Sequence, residues 1–186
     1  MHALAGCDTV SSFSGKGKKS AWQAWQVCPQ VTESFVTLAN GPDSIEEAVL
    51  AELERYVVVL YSKTCPHTTV NAARRYLFSR GSRALENVPP TQDALSQHVR
   101  RATYQGGHIW GQCLVPCPVY PDPGNWGWQK DGTHWLPHWT TLCEASKACK
   151  ELVSCGCNPN RGCHKRCKCK RVNLPCTELC KCGGCN

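Results

Sequence analysis

Apolar and polar residues in the first half of the chain alternate with the spacing of amphipathic helices. The predicted helices are residues 30–39, 44–61 and 70–80, the last of them closed by Gly81. Asp43 or Ser44 can cap the second helix, and acidic side chains in its first turn interact favourably with the helix dipole. Its end, residues 56–61, is rich in valine and is compatible with a strand as well as with a helix.

The second half of the chain has a weaker pattern. Thr91 can cap a helix over residues 92–105, which is expected to end at Gly106-Gly107. Residues 113–137 are rich in Pro, Gly and Trp and show no period, so we expect an irregular segment whose indole rings pack on neighbouring helices. A short helix over residues 140–153 leads into the last segment. The pattern therefore predicts a mainly α-helical fold with irregular segments.

The chain divides by composition into three segments. Residues 1–81 are helical, residues 82–154 form a connecting region with one helix, and residues 155–186 form a cysteine-rich module with little regular secondary structure. No apolar run approaches the roughly 18 residues that a membrane span needs, and the first residues lack the features of a signal peptide. We therefore expect no membrane contact and an intracellular protein.

Sixteen cysteines are the most informative feature of the composition, and nine of them lie in the last 32 residues. Without a secretory signal, such density predicts metal binding rather than disulfides. Nine is also an odd number, so these cysteines cannot all pair with one another in disulfides. A module of this size buries too little apolar surface to fold alone, so a metal must supply folding free energy. The predicted ligands are Cys155, Cys157, Cys163, Cys167, Cys169, Cys176, Cys180, Cys182 and Cys185.

The number of ligands favours a cluster of three zinc ions. Structural zinc is tetrahedral, so two separate ions would use eight thiolates and leave one over. Three ions need about twelve bonds, which nine thiolates supply if three of them each bridge two ions. The Cys-x-Cys pairs suit such sharing, because the two thiolates of a pair can reach neighbouring ions.

Positive charge is concentrated in the same module. The whole chain has a formal net charge of +7, and all but one unit of it lies beyond residue 154. Such a basic block suggests an acidic partner, most simply DNA, although a solvated surface is an equally ordinary explanation. The candidate DNA contacts are Arg161, Lys165, Arg166, Lys168, Lys170 and Arg171.

The spacing of all nine cysteines resembles the CXC domain of the tesmin/TSO1 family and the related modules of male-specific-lethal ubiquitin ligases and polycomb methyltransferases. The resemblance implies a three-zinc, nine-cysteine cluster, and for the first two groups it implies DNA binding. Tesmin-type repeats are paired and have Tyr before the fourth cysteine, whereas this chain has one copy and Arg166 at that position. The module is therefore more similar to the male-specific-lethal type, and we expect contacts to phosphates and grooves.

The N-terminal segment resembles a second family. In flap-endonuclease-like PIN nucleases, a metal-binding carboxylate precedes a helix–two-turn–helix motif with a Gly-x-Gly loop and a basic pair. The matching positions are Asp8 for the carboxylate, Gly15 and Gly17 for the loop, and Lys18 and Lys19 for the basic pair. Glycines let the backbone approach a phosphate that amides and lysines then hold. The loop is therefore a second candidate for nucleic-acid binding.

We expect no enzymatic activity, because the other carboxylates of those nucleases precede the matched motif. Two-metal phosphodiester cleavage requires several converging carboxylates, and Asp8 alone is at most a remnant of such a set. The first alternative is that the chain is a fragment of a metal-dependent PIN/flap-type nuclease from a mobile element. The second is a zinc-stabilised scaffold for protein partners.

The remaining cysteines and histidines form weaker patterns. A further zinc site is conceivable, but its spacings are irregular, and packed or exposed side chains are the simpler interpretation. Its candidate members are Cys113, Cys117, His134, His138, Cys143 and Cys149. Cys7, Cys28 and Cys65 are interpreted as small buried residues. The leading hypothesis is a non-enzymatic nuclear protein that binds zinc and DNA.

Overall fold

The fold is known from a computed structural model that describes residues 1–79, 87–140, 154–158, 160, 162–164, 167–171, 175–176 and 180–182. The chain divides into two compact units, Met1–Thr140 and Thr141–Asn186. Within the predicted connecting region, residues 87–140 belong to the first unit together with the N-terminal helices. Among the described residues, no helix has the length and hydropathy needed to cross a bilayer.

The predicted mainly helical architecture is confirmed. The elements of the first unit are α1 (Lys18–Val27), α2 (Val31–Ala39), α3 (Glu47–Tyr61), α4 (Val70–Ser79), α5 (Gln92–Thr103), a π-helix (Tyr104–Ile109), two 3-10 turns (Trp110–Gln112 and Pro123–Trp126) and the strands β1 (Trp128–Asp131) and β2 (His134–Pro137). In the second unit, the described residues contain one short helix, α6 (Lys168–Arg171). Gly81 and, apart from its first residue, the predicted helix over residues 140–153 lie outside the described residues.

Helix α3 is the centre of the first unit. It packs against α1, α2, α4 and α5, and three consecutive valines, Val57 to Val59, are buried. Consecutive buried residues point to different sides of a helix, so this end of α3 is enclosed all round. That burial explains why residues 56–61 are helical although their β-branched composition suits a strand equally well. The Tyr56 hydroxyl donates to the Ala21 carbonyl at 2.9 Å and joins α3 to α1.

A buried carboxylate joins α3 to the starts of two other helices. Glu54 accepts a hydrogen bond from the Val70 backbone amide at 3.0 Å, at the first residue of α4. Its second oxygen accepts from the Gln92 side-chain amide at 2.7 Å, at the first residue of α5. Each carboxylate oxygen therefore has a hydrogen-bond donor, which offsets the cost of burying the group.

The two predicted helix caps have different outcomes. Thr91 caps α5 as expected, since its hydroxyl oxygen accepts from the Ala94 amide at 3.3 Å. The prediction that Asp43 or Ser44 caps α3 is wrong. The helix begins at Glu47, and Glu46 precedes it in an extended conformation without a side-chain cap. The loop before it is held instead by Gly41, which lies against the backbone of the π-helix.

The predicted end of α5 at Gly106-Gly107 is also wrong. The α-helix ends at Thr103 and continues through both glycines as the π-helix. A Cβ atom on Gly107 would lie 2.4 Å from the Leu38 carbonyl oxygen, so the glycine permits close contact with the end of α2. The glycines therefore serve helix packing rather than helix termination.

Residues 113–137 are less irregular than expected. Strands β1 and β2 form an antiparallel hairpin in which Trp128 pairs with Pro137 and Asp131 with His134. The preceding Gly127 has a left-handed backbone, with φ of 82°. The hairpin was missed because its strands have four residues each and its side chains are mostly exposed, so no alternating burial marks them.

Candidate metal centre

Three groups of four cysteines in the second unit are arranged to hold metal ions. In each group the four sulfur atoms lie within 4.8 Å of one another, and the groups together contain the eight described cysteines of the module. The groups are Cys155, Cys157, Cys163 and Cys167; Cys155, Cys163, Cys176 and Cys182; and Cys155, Cys169, Cys176 and Cys180. The predicted ligands thus converge, apart from Cys185, which lies outside the described residues.

The groups overlap through three cysteines. Cys155 belongs to all three groups, while Cys163 and Cys176 belong to two each. These three sulfur atoms form a triangle, with 3.7 Å between Cys155 and Cys163, 3.4 Å between Cys163 and Cys176, and 3.9 Å between Cys155 and Cys176. Tetrahedral zinc with Zn–S bonds of about 2.3 Å separates its sulfur ligands by about 3.8 Å. The spacing therefore suits neighbouring ligands of shared metal ions.

Cys182 and Cys180 extend the arrangement on either side. The Cys182 sulfur is 3.6 Å from both the Cys155 and Cys163 sulfurs and within 4.8 Å of the Cys176 sulfur. The Cys180 sulfur is 3.6 Å from that of Cys169. The pair Cys180-x-Cys182 thus supplies two different groups, in agreement with the sharing that the Cys-x-Cys spacing suggests.

Backbone hydrogen bonds hold the two ends of the module together. The Cys155 amide donates to the Cys180 sulfur at 3.4 Å, and the Lys181 amide donates to the Cys155 carbonyl at 2.9 Å. Cys167 directly precedes α6, and a hydrogen bond from the Lys170 amide is the main cause that lowers the pKa of its thiol to about 6. A thiol at a helix start is deprotonated readily, which favours metal binding.

Burial has the opposite effect on other thiols of the module. It is the main cause that raises the pKa of Cys163, and it raises the pKa of Cys169 to about 12. Metal binding at these positions must therefore displace protons, because the thiolate is the ligand.

The described basic side chains lie on the outside of the module. Lys168, Lys170, Arg171 and Lys181 are exposed, and the Lys170 ammonium donates to the Cys163 carbonyl at 3.1 Å. Helix α6 therefore presents three cations beside the sulfur cluster. The other predicted contacts, Arg161, Lys165 and Arg166, lie outside the described residues.

The N-terminal motif forms two tight turns followed by α1. Gly15 lies in the second turn with φ of 65°, and Gly17 is the residue before the first turn of α1. The Lys18 ammonium donates to the carbonyls of His2 and Gly6, so it binds the turn that precedes it. Lys19 is exposed, as is Asp8, which belongs to none of the metal-ligating groups found among the described residues.

The weaker candidates do not come together. Cys113, Cys117, His134 and His138 form no metal-ligating group among the described residues, and Cys143 and Cys149 lie outside them. Cys28 and Cys65 are buried as expected, whereas Cys7 is half-buried. Among the tryptophans of residues 113–140, Trp126 is buried against the ring of His108, but Trp135 and Trp139 are exposed, so the expectation of packed indoles was wrong for those two.

Cys155 has a role that the sequence does not reveal. It begins a Cys-x-Cys pair, but so do Cys167 and Cys180, and spacing alone does not show which cysteine joins all three groups. Comparisons with protein-family models, curated proteins and solved structures found nothing that matches this chain. The CXC and nuclease resemblances thus rest on sequence motifs alone.

Proposed function

We propose that this chain is a zinc-binding protein whose C-terminal module holds three zinc ions and contacts DNA. The observation that carries the proposal is the overlap of three four-cysteine groups within one module. Cysteine-rich tetrahedral groups are typical of structural zinc, and the burial of most of these cysteines suits a closed structural site.

The bridging ligands of the proposed cluster are Cys155, Cys163 and Cys176. They are the cysteines that belong to more than one group, and their sulfur atoms are mutual neighbours. Cys185 is the ninth thiolate of the proposal. If it replaces Cys155 in one group, each bridging thiolate joins two ions and every ion has four ligands.

Native mass spectrometry of the purified chain tests this composition. The expected mass corresponds to three zinc ions per chain, and removal of zinc by a strong chelator should abolish the folded module. Two ions per chain would contradict the bridging scheme. A mass without bound metal and with paired cysteines would contradict the metal centre itself.

The DNA contact is proposed from charge. The lysines and arginines of the module exceed the negative charge of a three-zinc, nine-thiolate cluster, and those of α6 are exposed. Phosphates are the simplest partner of such a surface, and arginine can also enter a narrow groove. We likewise propose nuclear localisation, which imaging of the tagged chain tests.

Fluorescence anisotropy with a labelled duplex tests DNA binding. Affinity should fall steeply with salt, and the double variant Lys168→Gln, Arg171→Gln should reduce the salt slope by roughly two, one for each lost phosphate contact. Lys170 is left intact because it holds the Cys163 carbonyl. Lys63→Gln, which removes an exposed lysine from the first unit, is the matched control.

The same experiment distinguishes the alternatives. Salt-independent or absent DNA binding by the zinc-loaded chain would overturn the DNA contact and favour a scaffold for protein partners. We propose no catalytic step for the chain. Metal-dependent cleavage of a flap duplex would contradict this and would favour the alternative that the chain is a nuclease fragment.

A further inference from the structure

A second site of a different kind lies in the first unit. An open cavity of about 160 Å³ is bordered by α5, by the turn that contains Ser11 and Ser12, and by the residues that follow β2. Arg101 reaches it from α5, and His138 and Trp139 border it from the other side. The cavity therefore combines a guanidinium with polar and aromatic neighbours.

Arg101 is unusual because it is buried without a counter-ion among the described residues. Only 7% of the residue is exposed, and Nη1 donates to the Gly127 carbonyl at 3.0 Å, the hydrogen bond that the described part of the chain provides. No carboxylate among the described residues pairs with it. The end of α5 and one carbonyl offset part of the burial cost, but a buried guanidinium normally has an anionic partner.

The position of the guanidinium is fixed by close packing around Gly127. A Cβ atom on Gly127 would lie 2.8 Å from the Gln97 carbonyl oxygen, so only glycine lets the Gly127 carbonyl approach Arg101. The Gly127 carbonyl also accepts from the His138 amide at 2.8 Å. No nitrogen of the Arg101 guanidinium is both fully buried and without a hydrogen-bond partner. The donors other than Nη1 are therefore accessible.

The neighbouring histidine does not supply charge. His98 donates from Nε2 to the Leu4 carbonyl at 2.8 Å, because a carbonyl can only accept. Burial lowers the pKa of His98 to about 4, so the ring is neutral near pH 7. Its Nδ1 then accepts from the Ser11 hydroxyl at 2.9 Å, which occupies the Ser11 proton. Arg101 therefore supplies the permanent positive charge of the cavity, and Ser12 and His138 remain as further donors.

We propose that this cavity binds the phosphate group of a nucleotide-sized ligand, with Arg101 as the charge partner. Guanidinium pairs with phosphate through parallel N–H donors. The volume of the cavity exceeds that of about four water molecules. The cavity therefore accommodates a phosphate group but not a whole nucleotide. The rest of the ligand extends past Trp139, a residue that is 71% exposed and whose ring can stack on a base.

Thermal unfolding of the full zinc-loaded chain tests the site without any mutation. Inorganic phosphate and adenosine monophosphate are added at constant ionic strength, with acetate as the comparison anion. At a hundredfold excess over the dissociation constant we expect a rise in Tm of about 5–10 °C for both phosphates. No shift, or an equal shift with acetate, overturns the proposal.

Calorimetric titration of variants then assigns the binding residue. Arg101→Gln should weaken phosphate binding about tenfold or more, whereas Arg100→Gln, which changes the exposed neighbour on the same helix, should not. Equal affinity in both variants overturns the assignment. If Arg101→Gln fails to fold, Trp139→Ala is informative instead: it should weaken adenosine monophosphate and leave inorganic phosphate unchanged, and equal loss of both overturns the proposed pose. The basic zinc module is unchanged in Arg101→Gln and in Trp139→Ala, so any phosphate that it binds is the same in wild type and variants. The comparison of variants therefore isolates the cavity, and this proposal and the DNA proposal fail independently.

Discussion

The overlap of the cysteine groups predicts that two similar mutations have unequal effects. Cys155→Ser removes a sulfur that the proposed cluster shares between ions, whereas Cys157→Ser removes one from a single group. Both cysteines are buried, and they lie two residues apart in the same Cys-x-Cys pair, so local context is matched. Serine keeps the size of the side chain but is a poor zinc ligand.

The magnitude follows from the number of lost bonds. A structural zinc ion supplies about 10–16 kcal/mol through four bonds, so each bond contributes roughly 3 kcal/mol, or about a hundredfold in affinity. Cys157→Ser loses one bond and should weaken one ion. Cys155→Ser loses two bonds to different ions, roughly 6 kcal/mol in total, and should weaken both.

Native mass spectrometry during a chelator titration measures the difference. At a chelator concentration that leaves wild type with three ions, we expect two ions in Cys157→Ser and one in Cys155→Ser. Cys117→Ser, which changes an exposed cysteine of the first unit, should retain all three. Loss of the same number of ions from the two module variants would refute the bridging role of Cys155.

Two further predictions concern the first unit. Burial lowers the pKa of His98 from 6.5 to about 4, so the unfolded chain binds a proton more readily than the folded chain. The free energy of unfolding therefore has its full value above about pH 6.5 and decreases by roughly 3 kcal/mol as the pH falls to 4. Urea unfolding at several pH values measures this loss, and a pH dependence unchanged in His98→Gln would contradict it. Gly107→Ala places a Cβ 2.4 Å from the Leu38 carbonyl oxygen and should destabilise the unit by roughly 1–3 kcal/mol. Gly111→Ala, whose nearest neighbouring atom is 3.7 Å away, should unfold like wild type, and equal Tm values for both variants would refute this assignment.

Helix identity could be predicted from the sequence wherever local signals and burial agree. Thr91 both favours and forms the cap of α5, and the periodic residues of α2 and α4 form helices close to the expected bounds. The end of α3 is different, because its valines suit either structure locally and the surrounding helices decide the outcome. Gly107 shows the same limit, since its role depends on α2, which is distant in sequence.

The candidate metal centre could be predicted as a set of ligands but not as an arrangement. Counting cysteines gives the number of thiolates, and spacing gives the pairs. Which cysteines belong to more than one group depends on how Cys176 and Cys180 fold back towards Cys155, and that is a property of the folded module. Arg101 was missed for a related reason: a basic residue near a helix end is expected to be solvated, and only tertiary packing reveals its burial.

The position of Cys155 at the start of the module has a consequence for the order of assembly during synthesis. The group of Cys155, Cys157, Cys163 and Cys167 is complete within thirteen consecutive residues, whereas the other two groups include cysteines near the end of the chain. Short loops close with the smallest entropy cost, and the chain emerges from the ribosome in sequence order. In the proposed three-zinc cluster, this group would therefore capture the first ion, and the sulfur atoms that it holds in place would form part of the binding sites for the other two.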